Sequence, residues 1–180
     1  MSENLVTINI YPEMILEDDL TPDFGVEIDD ICKDIYEACK GWGTSNKRLI
    51  EAIGNTTPED RHKISLRYKE IYDKKLKDLM KSETSGDYGT ALQFCALSPA
   101  MAECAMLKKA CKGLGTNEKL LYSIVCGRSN QDMEHLKKTY YKLYTKDLGK
   151  LVSSEISGDF SKIVFSCLQV RFDETPCVWL

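Results

Sequence analysis

Cys39-Lys-Gly-Trp-Gly-Thr44 and Cys111-Lys-Gly-Leu-Gly-Thr116 are nearly identical stretches of this 180-residue chain, and they decide its fold. Their first glycines lie 72 positions apart (113 − 41). Each is followed 42 positions later by a glutamate, Glu83 (83 − 41) and Glu155 (155 − 113). A fixed period of this length indicates a duplicated module. A glycine loop with one distant carboxylate also offers oxygen ligands, so the chain is predicted to bind calcium.

The composition is that of an ordinary soluble globular protein, with 43% hydrophobic and 29% charged residues. A net charge of −4 gives no reason to expect nucleic acid as a partner, and any anionic partner needs a cation in between. The polar amino terminus lacks a cleavable signal, and the most apolar window, 91–107, is too interrupted to span a bilayer. We therefore expect a cytoplasmic protein. No nucleophile–base set or phosphate loop indicates an enzyme.

Six of the eight cysteines follow the same period. No Cys-x-x-Cys motif or Cys/His cluster accompanies them, so we interpret them as small buried hydrophobes; the alternative is a redox or metal role. The equivalent pairs are Cys32/Cys104, Cys39/Cys111 and Cys95/Cys167.

Helical periodicity begins at Val26 and predicts five helices in each copy, with no convincing strand. Thr44 and Thr116 are predicted to N-cap the second helices, and the fourth helices are expected over 74–81 and 146–152. Capping boxes are predicted at Thr57-Pro-Glu-Asp60 and Ser129-Asn-Gln-Asp132. The apolar face of the first helix is expected to contain Ile28, Ile31, Ile35 and Cys39.

The pattern divides the chain into an N-terminal arm (1–22), a first repeat (23–97), a second repeat (98–172) and a C-terminal tail (173–180). The arm is either a partly ordered tail or a docking segment for a protein partner. The last four residues, Cys177-Val-Trp-Leu180, fit the prenylation pattern, although Trp is a poor fit at its place. The alternative is an ordinary cysteine.

At these residues the chain resembles an annexin over roughly residues 23–172. The annexin loop Lys-Gly-x-Gly-Thr occurs twice, as does the Ser-Glu-x-x-Gly-Asp segment, at 82–87 and 154–159. The family stretch Tyr-x-Lys-x-Leu matches 72–76 and 144–148. The resemblance implies an all-α fold of two repeats, each of five short helices in a right-handed superhelical arrangement. Annexins usually have four repeats. The family's arginine after the second helix matches Arg128, but Thr56 stands at the equivalent place, so local packing is expected to differ.

The resemblance also implies the ligands of two Ca²⁺ ions. In the first repeat these are the carbonyls of Cys39, Gly41 and Gly43 with the Glu83 carboxylate. In the second repeat they are the equivalent groups, and Thr116 with Glu118 marks a weaker secondary site that Asn46 does not reproduce in the first. The equivalent groups are Cys111, Gly113, Gly115 and Glu155.

Such a shell is incomplete, and a lipid phosphate completes it, so the implied partner is an anionic phospholipid membrane bound peripherally when calcium rises. The variable loop residues, Trp42 and Leu114, and the neighbouring Lys40 and Lys112 are the expected membrane contacts. Trp42 folded into the core is the alternative. For the two glutamates the alternative is a capping or solvated role.

Two consecutive repeats would expose the faces that four-repeat annexins bury between repeats, so a homodimer is predicted. A different class of function stays open: a calcium-independent helical scaffold for cytoskeletal or signalling proteins. The calcium requirement of membrane binding distinguishes the two.

Overall fold

A computed structural model of the chain describes Tyr11, residues 24–113 and residues 115–169. All regular secondary structure in these residues is helical. The chain divides into two compact units, Met1–Ala102 and Glu103–Leu180. Tyr11 is buried. The rest of the predicted arm, the membrane-contact residue Leu114 and the tail with Cys177 lie outside the described residues.

The described part of the chain contains ten helices, five for each predicted repeat. They are α1 (Gly25–Ala38), α2 (Asn46–Gly54), α3 (Pro58–Tyr72), α4 (Leu76–Glu83), α5 (Gly86–Cys95), α6 (Pro99–Ala110), α7 (Glu118–Val125), α8 (Asn130–Tyr144), α9 (Leu148–Glu155) and α10 (Gly158–Leu168).

The first unit is built around α1, which packs against α2 and α3, while α4 packs against α5. The buried stripe of α1 includes Ile28, Cys32 and Ile35 at helical spacing. Two residues predicted for this stripe, Ile31 and Cys39, are only half-buried against the core. Cys39 is less buried than predicted because the helix ends at Ala38. Cys39 is the C-cap residue, so its side chain does not continue the apolar face of the helix.

The third helices begin and end alike in the two repeats. The capping box at Thr57 is complete, since its hydroxyl accepts from the Asp60 amide and the Asp60 carboxylate accepts in return. In α8, Ser129 accepts from the Asp132 amide. Left-handed residues 72 positions apart, at 73 (φ 49°) and 145 (φ 53°), then end α3 and α8. The capping signals at Thr57 and Ser129 correctly predicted the starts of α3 and α8.

Two sets of predicted helix ends are wrong. Thr44 and Thr116 do not cap the second helices; the N-cap positions fall one residue later, at Ser45 and Asn117. The fourth helices, α4 and α9, start two residues later than predicted and continue to Glu83 and Glu155. Each third helix ends at a left-handed residue, and the N-cap residue two positions later, Lys75 or Asp147, has extended backbone. The fourth helix can therefore begin only after that residue. Both glutamates are consequently the last residues of helices.

In the second unit α10 packs against α7 and α9, and α8 against α9. The Cys104 thiol lies 3.7 Å from the Leu136 carbonyl, and in the first unit Cys32 stands at the same distance from the Ile64 carbonyl. Both thiols are fully buried, as predicted for structural cysteines. In the described part of the chain, no helix has the length and apolarity needed to cross a membrane.

Candidate metal sites at the glycine loops

The glycines of the two loops have similar backbone angles. Gly41 and Gly43 have φ of +98° and +90°, and Gly113 and Gly115 have φ of +115° and +88°. L-residues rarely adopt such angles, so the alternation of glycine with other residues is a conformational requirement. Each loop is closed at its base by an amide–carbonyl hydrogen bond of 2.9 Å, Ser45 to Ala38 in the first repeat and Asn117 to Ala110 in the second.

A hydrogen bond connects each loop to its distant glutamate. The Thr44 hydroxyl donates to Glu83 Oε2 at 2.8 Å. In the second repeat the Thr116 hydroxyl donates to Glu155 Oε2 at 2.9 Å and lies 3.2 Å from the Glu155 carbonyl oxygen. The fold therefore places each carboxylate beside its glycine loop, although 39 positions separate the two residues.

The charges of the two glutamates also reach the bases of the loops. Burial raises the pKa of the Cys39 thiol to about 11, and the nearby Glu83 carboxylate contributes to the rise. The pKa of Cys111 is likewise raised to about 11, by burial first and then by Glu155. Both thiols stay protonated near neutral pH, so the hard oxygen donors that these residues can offer to a cation are their backbone carbonyls.

The described residues contain no group of three or more His, Cys, Asp or Glu side chains arranged to hold a metal ion. Each loop instead brings one carboxylate to a turn of backbone carbonyls. Carbonyl and carboxylate oxygens in such a set suit Ca²⁺, whereas zinc and softer metals favour nitrogen and sulfur ligands. The donor chemistry of both loops thus fits calcium.

A cavity of about 450 Å³ adjoins the first loop and is lined by Cys39, Lys40 and Glu83 together with three tyrosines. Two of these tyrosines, Tyr36 and Tyr72, stack with parallel rings 4.6 Å apart. The second repeat has Lys108 at the place of Tyr36, and its ammonium lies 4.1 Å from the centre of the Tyr144 ring. The loops are alike, but their immediate surroundings differ.

The remaining residues expected at the sites lie at the surface. Trp42 is fully exposed at the tip of its loop, so it does not fold into the core. Lys40 is exposed and pairs with Glu37 at 3.5 Å. Lys112 is also exposed. Glu118 is exposed as the first residue of α7, and its amide donates to the Thr116 carbonyl at 3.0 Å.

Sequence reasoning placed Thr116 with Glu118 but missed the hydrogen bonds that Thr44 and Thr116 donate to Glu83 and Glu155. Thr44 and Thr116 look like helix caps because each precedes an amphipathic helix, whereas their hydroxyls are used by the glutamates. A signal was present: each threonine lies 39 positions before its glutamate, so loop and carboxylate repeat as one unit.

The structure thus contains two copies of an all-helical repeat, in which a glycine loop is hydrogen-bonded to a carboxylate at the end of the fourth helix. These features were the basis of the resemblance to an annexin. A sequence model of the annexin family matches residues 31–94 and 102–166, one match in each repeat. The chain belongs to the annexin family, as the resemblance predicted.

Individual relatives agree with this assignment. Annexin A13 of Mus musculus is 36% identical over 154 residues, which cover 86% of this chain and 49% of the relative. Annexin A3 of Homo sapiens is also 36% identical over 154 residues, covering 86% of this chain and 47% of the relative. The chain spans about half the length of these curated relatives.

Solved structures match equally well. A structure of annexin III has a TM-score of 0.77 at 35% identity, over 88% of this chain and 48% of that chain. Calcium-bound annexin (Sm)1 has a TM-score of 0.73 at 27% identity, over 87% and 47%. These matches confirm the predicted fold class, an all-α protein of five-helix annexin repeats.

Proposed function

We propose that this chain binds anionic phospholipid membranes in a calcium-dependent manner through its two glycine loops. Annexins are known generally for calcium-dependent phospholipid binding, and one structure that shares the fold is calcium-bound. The observation that carries the proposal is the doubled hydrogen bond that holds a carboxylate beside each loop, Thr44 to Glu83 and Thr116 to Glu155. Its repetition favours a site over a chance surface contact.

In the first site the ligands would be the carbonyls of Cys39, Gly41 and Gly43 and the Glu83 carboxylate. The second site would use the equivalent groups, and Thr116 with Glu118 would form the weaker secondary site. Each main site supplies about five oxygens, fewer than the six to eight that calcium takes. The main ligands of the second site would be the carbonyls of Cys111, Gly113 and Gly115 and the Glu155 carboxylate.

The missing ligands explain why lipid and calcium would act together. Water fills the open positions in solution, and one carboxylate per ion gives weak intrinsic affinity. A lipid phosphate that replaces this water adds both oxygen and negative charge. Because linkage is reciprocal, anionic lipid must then raise the calcium affinity by the same factor as calcium raises the lipid affinity. The protein would be cytoplasmic at low calcium and peripheral on membranes when calcium rises.

The side chains around the loops are suited to an interface. Trp42 is fully exposed, and an amphipathic ring of this kind favours the headgroup region of a bilayer. Lys40 and Lys112 lie beside the loop tips and would pair with phosphates, and Leu114 would contact lipid in the second repeat. The chain would act as a binding protein, a membrane scaffold or tether, and not as an enzyme.

Co-sedimentation with vesicles of phosphatidylserine and phosphatidylcholine, in calcium and in chelator, tests the proposal. We expect the chain to pellet only with calcium and only with the anionic vesicles. The variant Glu83→Gln/Glu155→Gln should need much more calcium. A matched control, Glu51→Gln/Glu134→Gln, removes the same charge from exposed glutamates of α2 and α8 and should behave as the unmodified chain. Binding that persists in chelator would contradict the proposal and favour the calcium-independent scaffold.

The predicted homodimer and a protein partner at the N-terminal arm stay predictions. Large apolar side chains are exposed in both units, among them Val26 (79%), Tyr141 (59%) and Ile163 (58%). Exposed apolar surface favours association, because burying it releases free energy in proportion to its area. Light scattering of the chain at micromolar concentration tests the dimer, and a monomer mass would contradict it.

A further inference from the structure

A pair of thiols in the second unit lies apart in sequence from both glycine loops. The Cys167 thiol donates toward the Cys126 sulfur, and the two sulfurs are 3.8 Å apart. Cys126 directly follows α7, Cys167 lies in the last turn of α10, and these helices pack against each other. Both cysteines are half-buried, so a small reagent in solution can reach them.

The 72-residue period assigns this pair to the second repeat alone. Cys167 corresponds to Cys95 in α5, but the position equivalent to Cys126 is Gly54, the last residue of α2. The first repeat therefore has one of the two thiols and lacks the other. Because Cys126 has no equivalent cysteine in the first repeat, burial of repeat-equivalent cysteines does not explain it, and Cys95 serves as an internal control.

We propose that Cys126 and Cys167 form a reversible disulfide when the protein meets a peroxide, and that this bond fixes the end of α7 to α10. The sulfurs must approach by about 1.8 Å to reach the normal S–S distance of about 2.05 Å. The position of Cys126 allows such a movement. Its backbone has left the helix (φ −83°, ψ 149°), and Gly127 with φ of +78° follows it.

The reaction balances with hydrogen peroxide as the oxidant. One thiol loses its proton, and its sulfur attacks a peroxide oxygen; the O–O bond breaks, which gives a sulfenic acid and hydroxide. The second thiol, also deprotonated, attacks the sulfenic sulfur, the S–S bond forms and the S–O bond breaks. Both hydroxides take up the protons from the thiols, so one peroxide and two thiols yield one disulfide and two waters. Each sulfur is oxidised by one electron and each peroxide oxygen is reduced by one.

The bond would close a segment of chain whose ends are 41 positions apart and which contains α8 and α9. A cross-link of this kind restricts the unfolded chain and so favours the folded state. Peroxide should therefore raise the melting temperature of the second unit by several degrees, and a thiol reductant should reverse the rise. This inference does not depend on calcium or lipid binding.

Trypsin makes the test direct, because it releases Cys126 in the peptide Leu120–Arg128 and Cys167 in Ile163–Arg171, each with one cysteine. The folded chain is treated with a small excess of hydrogen peroxide and then alkylated in denaturant. We expect alkylated thiols to fall from eight to six. Mass spectrometry should find the two peptides joined, at the mass of their sum less two hydrogen atoms.

Three comparisons make the result decisive. Cys126→Ala should lose the joined peptide and the peroxide-dependent rise in melting temperature, whereas Cys95→Ser should keep both. A trivalent arsenical such as phenylarsine oxide, which bridges neighbouring thiols, should protect the same two peptides from alkylation in the unoxidised chain. Peroxide treatment that leaves eight alkylatable thiols, joins other cysteines, or converts Cys126 or Cys167 to sulfinic acid would overturn the proposal. Linkage equally frequent in urea-unfolded chain would do so as well.

Discussion

The hydroxyl of Thr44 donates a hydrogen bond of 2.8 Å to the carboxylate of Glu83, across 39 positions of sequence. The bond fixes one carboxylate oxygen beside a loop whose glycines adopt positive φ. In metal sites, hydrogen bonds from neighbouring side chains commonly fix the orientation of the carboxylate that binds the ion. Its repetition between Thr116 and Glu155 indicates that the threonine hydroxyl serves the glutamate and does not cap the following helix.

Replacing the threonines should weaken calcium binding at the two main sites without removing any of their ligands. In Thr44→Val/Thr116→Val each glutamate keeps its charge but loses the donor that orients it, at a cost of about 1 kcal/mol per site, or roughly fivefold in calcium affinity. The calcium concentration for half-maximal vesicle binding should rise accordingly, and less than in Glu83→Gln/Glu155→Gln. Thr90→Val is the control, because that hydroxyl donates to the Gly86 carbonyl within its own helix. An unchanged calcium midpoint in the double valine variant would show that the hydrogen bonds do not serve the site.

The exposed Trp42 should enter the bilayer interface when both calcium and anionic vesicles are present. Its ring is fully exposed in the structure, so its fluorescence should be red-shifted in solution and blue-shifted on the membrane. The measurement uses the variant Trp179→Phe, which leaves Trp42 as the only tryptophan. Trp42→Ala should bind vesicles between roughly tenfold and a hundredfold more weakly, since burying an aromatic side chain contributes about 1.5–3 kcal/mol. No blue shift on bound vesicles would rule out contact between this ring and lipid.

The sequence predicted the helical repeat well, because three independent patterns coincide in it. Apolar positions recur at helical spacing, caps such as Thr57 mark helix starts, and the glycine loops recur at a fixed distance. Helix ends were less predictable: both fourth helices begin after a left-handed residue, Asp73 or Thr145, and neither residue type identifies that conformation. The Thr44–Glu83 contact could not be assigned because a threonine before a helix has two uses, and the choice between them is made by tertiary structure.

The cysteines illustrate the same limit. The period suggested that they are interior residues, which is correct for Cys32 and Cys104. It carried no information about Cys126, which has no equivalent cysteine in the first repeat, so the close approach to Cys167 was missed. A departure from a repeat is a signal in itself, but its meaning depends on which residue the fold brings opposite.

Oxidation of the thiol pair should become faster as the pH rises. Burial first, and then the neighbouring Cys167 thiol, raise the pKa of Cys126 to about 11, so its thiolate is scarce at neutral pH. Because the thiolate is the nucleophile, the rate of forming the joined peptide should increase by up to about tenfold per pH unit below this value. Following that peptide at pH 7, 8 and 9 measures the dependence. A rate that stays constant over this range would show that deprotonation of Cys126 does not limit the reaction.

A buried ion pair should make the second unit depend strongly on Arg128. Its guanidinium bonds to Glu103, with side chains only 10% and 22% exposed, and it also donates to the Ile124 carbonyl at 2.6 Å. Arg128→Thr leaves a carboxylate with little access to water, so we expect a loss of about 3 kcal/mol in unfolding free energy. The equivalent positions of the first repeat hold Ile31 and Thr56, which carry no charge.

The double variant Glu103→Ile/Arg128→Thr copies that uncharged pair into the second repeat and should be more stable than Arg128→Thr alone, because no carboxylate is then left without its cation. Urea unfolding measures the change in unfolding free energy of both variants, and hydrogen exchange shows in which of the two units the change occurs. Arg67→Ala is the comparison: Arg67 pairs with Asp29 at 2.6 Å, but the side chains are 27% and 42% exposed, so the loss in unfolding free energy should be much smaller than for Arg128→Thr. If Glu103→Ile/Arg128→Thr were less stable than Arg128→Thr, removing the Glu103 carboxylate would cost more free energy than leaving it without Arg128. The prediction would then be wrong.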